Sequence, residues 1–185
     1  MRDKEIIQQE MLQHIRDFCL MDDVFMTKCF ENNIECTELV LRIVMDKADL
    51  SVKNARTQYN IKNLQGRSVR LDVFANDSLN KKYNIEFQRD SGGAGAKRAR
   101  YNSSLIDANA IIPGENVEEL PECYVIFITE EDIFGENLSI YHIDRTIHET
   151  GKSFGDGSHI IYVNGTYRGE DALGKLMHDF FCTSP

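Results

Sequence analysis

The chain contains no long hydrophobic run. Its densest apolar stretches, such as Tyr124 to Ile128, fall far short of the roughly 20 residues that span a bilayer. The amino terminus, MRDKEIIQQEMLQHIRDF, is charged throughout and lacks the apolar centre of a signal peptide, so a cytoplasmic location is expected. The five cysteines (Cys19, Cys29, Cys36, Cys123, Cys182) are odd in number and scattered, without a CxxC or a Cys/His cluster of zinc spacing. They read as unreactive thiols in a reducing compartment. The glycine-rich SGGAG at Ser91 to Gly95 lacks GxGxxG or P-loop spacing, and is expected to be a mobile loop and not a nucleotide cradle. There is no repeat, linker or low-complexity tract. The 185 residues are expected to form a single domain. The last helix ends abruptly at CTSP with apolar residues still running, the pattern expected of a piece of something longer.

Positive charge is also in short supply. The net charge is −9, which argues against broad affinity for a polyanion. The distribution is uneven, however. Arg89 to Arg100 holds four basic residues (Arg89, Lys97, Arg98, Arg100) against one acid, Asp90.

Helical periodicity is present at Lys4–Leu20, from Asp22 and Asp23 (suited to an N-cap) through Phe30, and over Ile34–Met45. Three strands follow, at about Leu50–Ile61, Arg67–Ala75 and Lys82–Arg89. A basic helix over Ala96–Ile111 leads to a buried strand, Glu122–Thr129. Two short strands (Leu138–His142, His159–Val163) and a helix from Glu170 to Phe181 complete the order. A mixed sheet with helices on its faces accommodates this sequence of elements, an α/β (α+β) class.

The second and third strands carry the chemistry. Ser68, Arg70 and Asp72 alternate with Val69, Leu71 and Val73, while Asn84, Glu86 and Gln88 alternate with Tyr83, Ile85 and Phe87. Asn76–Ser78 and Asn80 supply the turn between them. In a hairpin, Asp72 and Glu86 fall on one face of adjacent strands. Two carboxylates so placed repel unless a cation or a proton lies between them, and hard oxygen donors suit Mg²⁺ or Mn²⁺. A solvated hairpin face gives the same pattern.

A helix with Glu38 (ECTELVLRIV), then Asp72 in RLDV, Glu86 and Gln88 in IEFQ, the basic KRARYNSSLID and the apolar ECYVIFIT succeed one another. That succession resembles the PD-(D/E)XK nuclease superfamily, and within it the PD-(D/E)XK nuclease family transposases, recombination-promoting proteins of mobile elements. IYHIDRTIHETG and FGDGSHIIYVNGTYRG extend the likeness over roughly Asp22 to Asp179. The resemblance implies a restriction-endonuclease-like core and Mg²⁺-dependent hydrolysis of DNA phosphodiesters. Asp72, Glu86 and the backbone carbonyl of Phe87 would be metal ligands, with Glu38, the helical acid of the first motif, a ligand directly or through water. Glu38 has a second reading, an ion pair with Arg42 four residues on. Lys97, Arg98 and Arg100 would meet DNA phosphates, Arg98 foremost since Arg98 and Arg100 do not share one helical face. The usual lysine is replaced by Gln88, which orients a water by hydrogen bonding but carries no charge. A homodimer would suit double-strand cleavage. The alternative is a catalytically inactive binding or assembly module on the same fold.

Overall fold

The structure, a computed structural model, describes residues 19–182. The expected helix over Lys4–Leu20 therefore lies almost wholly outside the described residues. Helices α1 (Asp23–Phe30) and α2 (Ile34–Val44) precede β1 (Val52–Ile61), β2 (Val69–Asp77) and β3 (Lys82–Gln88). Helix α3 (Ala96–Ala108) leads to β4 (Cys123–Thr129), β5 (Ile140–Ile143) and β6 (Ser158–Asn164). Helix α4 (Ala172–Phe181) follows them.

The six strands form one sheet in the order β1-β2-β3-β4-β6-β5. Tight turns make β1, β2 and β3 antiparallel neighbours, whereas β3, β4 and β6 run parallel. Parallel pairing needs a crossover, and α3 supplies the one between β3 and β4. Each face is covered. Val40, Leu41 and Val44 of α2 pack with Val73, Ile85, Ile126 and Phe180 of α4 on one side. Ala99, Leu105 and Ile106 of α3 pack with Leu71, Val125 and Phe127 on the other. Burial on both faces explains why every residue of β4 is apolar or, like Thr129, hydrogen-bonded inside.

Three expectations need correction. SGGAG is not an irregular loop: Ser91–Ala94 forms a 3₁₀ turn whose N-cap, Asp90, accepts from the Gly92 N–H at 2.9 Å. Its end is pinned where the buried Tyr162 hydroxyl donates to the Ala94 carbonyl at 2.7 Å. Second, Asp22 occupies the N-cap position of α1 without a capping side-chain bond. Its carboxylate accepts instead from the Cys19 N–H and from Arg89.

The third concerns alternation along β2. Leu71 packs on the α3 side and Val73 on the α2 side, though strict period-two geometry would keep them together. The cause lies across the ladder. Thr57 pairs with Val73 and Tyr59 with Leu71, but the intervening Gln58 has a left-handed φ of 51°. Such a conformation is uncommon for a non-glycine residue and breaks the pleat at Asp72, its opposite number. Among the described residues no helix is long and apolar enough to cross a membrane, and no cysteine is in a disulfide.

Candidate metal centre and basic cleft

Asp72 and Glu86 converge where β2 and β3 part. The antiparallel ladder runs from Asn76 with Lys82 to Val73 with Ile85, and its next step would set Asp72 opposite Glu86. There the backbone pairing gives way to a side chain: Asp72 Oδ2 accepts the Phe87 N–H at 3.0 Å. One carboxylate oxygen is thus fixed by the strand that carries the other acid. The Phe87 ring points to the opposite face, against Phe30 and Phe180.

Glu86 is not on a solvated face. β3 lies third in a six-stranded sheet with α3 above it, and Glu86 is 0% exposed. Its Oε2 meets Arg98 Nη2 at 2.6 Å, while Oε1 has no hydrogen-bond partner. Two residues back, the buried Asn84 amide lies near enough to act on the Glu86 carboxyl, yet neither of its polar atoms makes a well-formed hydrogen bond. Burial, reinforced by the nearby charge of Asp72, pushes the Glu86 carboxyl up to about 7, offset only in part by Arg98, the Asn84 amide and the Asp72 N–H. Burial also raises Asp72, opposed by the Phe87 N–H and by Arg98. A buried anion with an unmet oxygen is costly, so this pocket of negative charge is electrostatically unfinished.

Arg98 is committed inward. Besides Glu86 it donates from Nη1 to the Gly93 carbonyl at 2.9 Å. Gln88 lies beside the same turn, so close that a Cβ on Gly93 would stand 2.0 Å from Gln88 Oε1. The obstacle is the far end of a flexible side chain, so a methyl at this position would displace the Gln88 amide and not the backbone. The Gln88 carbonyl accepts from the Glu130 N–H at 3.0 Å, which holds the end of β3 to the end of β4.

Glu38 is not brought to this centre. Its Oε1 pairs with Arg42 at 2.6 Å and its Oε2 accepts the Val52 N–H at 2.8 Å, tying α2 to the start of β1. Helix α2 covers the face opposite to the one that Glu86 and Arg98 occupy.

Sequence reasoning missed Asp23 and Gln58. The charge of Asp23, in the first turn of α1, reaches Asp72 and adds to its upward shift. Gln58 Nε2 donates to Asp23 Oδ1 at 3.0 Å and to Thr27 Oγ1, made possible by its inverted φ. Only the acidic doublet Asp22–Asp23 hinted at this in the sequence.

Lys97, Arg98 and Arg100 line a cleft of about 940 Å³ between the first turns of α3 and the start of β2. Arg67 and Arg70 line its other wall, and nothing in the sequence near α3 signals them because they join it through the fold alone.

The acids present fit a hard divalent cation. Glu86 Oε1 has no hydrogen-bond partner, the charge of Asp72 acts on the Glu86 carboxyl, the donors are oxygens, and such ions keep several positions for water or phosphate. Among the described residues no group of three or more His, Cys, Asp or Glu side chains gathers as a metal cluster, so protein donors beyond this pair would come from the backbone.

A scan against protein-family models matches residues 36–165 to the PD-(D/E)XK nuclease family transposase model. That span covers Glu38, Asp72, Glu86, Gln88 and the basic turns of α3. No curated protein and no solved structure matches the chain.

Proposed function

The chain belongs to the PD-(D/E)XK nuclease family transposases, and from that premise we propose that it is a divalent-metal-dependent endonuclease acting on DNA phosphodiesters. One observation carries the reading: a fully buried glutamate with an unpartnered oxygen beside a second carboxylate, joined through Arg98 to a basic cleft. A site that only stabilised the fold would have no use for that arrangement, since an apolar residue of equal volume costs less.

Asp72 and Glu86 would hold Mg²⁺ or Mn²⁺, with the Phe87 carbonyl as a further donor. Such an ion, when bound, stabilises charge on the scissile phosphate and lowers the pKa of a coordinated water. The chain's own groups do the positioning. The Phe87 N–H fixes one Asp72 oxygen and leaves the other directed by the strand. Arg98 neutralises part of the carboxylate charge and stands at the junction of acid pair and cleft. Gln88 supplies an amide that hydrogen-bonds a water without taking its proton. A cytoplasmic location, and a homodimer for double-strand cuts, go with this reading.

Nicking of supercoiled plasmid in Mg²⁺ or Mn²⁺ tests it. Asp72→Ala and Glu86→Ala should each abolish the cut, and nicking that persists in both variants would refute the assignment. One observation favours a second reading, a binding or assembly module: Gln88 stands where a lysine would supply a cation for the developing charge. A chain that binds metal and DNA yet never cleaves would support that module.

A further inference from the structure

The net charge of this chain is −9, and most of its described arginines are spoken for. Arg42, Arg89, Arg98 and Arg145 each pair with a carboxylate. Arg168 donates to the carbonyls of Gly165 and Tyr167. Arg67, Arg70, Lys97 and Arg100 behave differently. All four are exposed, none is in an ion pair among the described residues, and all line the same cleft, which has no carboxylate in its lining. Leaving four like charges unpaired around one concavity, in an acidic protein, focuses a positive potential there.

The two walls are tied to each other. The Tyr101 hydroxyl, from α3, donates to the Arg67 carbonyl and accepts from Asn63 Nδ2 at 3.3 Å. The β1–β2 turn is therefore held at a fixed separation from the helix. Arg98 also lines the cleft, and it pairs with Glu86. Arg70 sits two residues before Asp72 on β2, about 7 Å along an extended strand.

We infer that Arg67 and Arg70, together with Lys97 and Arg100, form a phosphate track that holds the DNA backbone on one side of the scissile bond. Arg67 and Arg70 carry the outer contacts, on the wall away from the helix. The inference deepens the nuclease reading and rests on it for the direction in which the strand runs. The track itself requires no metal and no cleavage.

Its test is fluorescence anisotropy of a fluorescein-labelled DNA duplex with the full chain in EDTA, titrated from 50 to 200 mM salt. Arg67→Ala/Arg70→Ala should weaken binding about 10-fold and lower the slope of log K against log salt by about 2, the loss of two phosphate contacts. Lys47→Ala/Lys152→Ala removes the same charge from outside the cleft and should leave the slope near that of the parent. Equal slopes and affinities for the parent and the Arg67/Arg70 variant would overturn the track. So would an equal loss in the Lys47/Lys152 variant, which would assign binding to the general field. Displacement of the duplex by polyglutamate at equal charge concentration would assign the cleft to acidic protein instead. Because the assay contains no metal, failure to nick leaves this result standing, and failure to bind here leaves the acid pair to be judged by nicking.

Discussion

Two glutamate–arginine pairs in this protein have the same 2.6 Å separation and opposite circumstances. Glu38 is partly exposed, and both its oxygens are used, one by Arg42 and one by the Val52 N–H. It braces α2 against β1. Glu86 is sealed from solvent, has one oxygen satisfied and one orphaned, and shares its surroundings with Asp72. Distance alone does not separate a brace from a working site. What separates them is the unfinished coordination, which leaves Glu86 the capacity to hold something more.

The sharpest way to break the comparison is to exchange the two acids' fates. Glu86→Gln should reduce metal-dependent nicking at least 100-fold, as expected when an ion loses one of two carboxylates, while Glu38→Gln should keep it within a few-fold of the parent. Equal losses, measured on the same plasmid, would erase the distinction.

The next effect is on stability against pH. Glu86 has its folded-state carboxyl raised to about 7 from an ordinary 4.5. Its proton is therefore held more tightly in the fold. The contribution is fully present below about pH 4.5 and is lost as pH rises through about 7. In metal-free buffer the loss amounts to at most roughly 3 kcal/mol, discounted where Arg98 and water reorganise. Chemical denaturation at pH 5 and pH 8 should show it, and Glu86→Gln should flatten that slope and gain stability at pH 8. An unchanged slope in the variant would mean that Glu86 ionises without penalty.

On the brace, Glu38→Gln removes a charge-assisted bond to the Val52 N–H and the pair with Arg42. A loss of about 1–2 kcal/mol is expected, with no dependence on added Mg²⁺. Smallest is Gly93→Ala. The new methyl displaces the flexible end of Gln88, so the melting temperature should move by about 2 °C or less, while nicking falls several-fold if the Gln88 amide orients water. Parent-level nicking would leave Gln88 without a role.

The sheet was largely readable from sequence because its strands announce themselves. Val125 to Ile128 are apolar on both faces, as a central parallel strand must be, and the pair Asp72 and Glu86 follows from two adjacent strands with tight turn chemistry. The break at Asp72 was not readable. It depends on the backbone of Gln58, a residue whose side chain reaches α1 only in the folded chain. The role of Arg98 was half readable: its position on a basic helix is a local fact, but its pairing with Glu86 across the Gly93 turn is a tertiary one. Arg67 and Arg70 join the cleft for the same reason, through a turn distant in sequence from α3. Glu38 shows the converse: its order along the chain matched a family pattern, and of the two readings open from sequence the fold shows the ion pair with Arg42, together with a bond from the Val52 N–H.

The central claim is that Asp72 and Glu86 together hold one divalent ion, and Mn²⁺ binding followed by electron paramagnetic resonance reads that directly, without DNA or turnover. The account predicts one bound Mn²⁺ per chain in the parent and in Glu38→Gln, and at least a 10-fold weaker site in both Asp72→Ala and Glu86→Ala. Parent-level binding in those two alanine variants would contradict it.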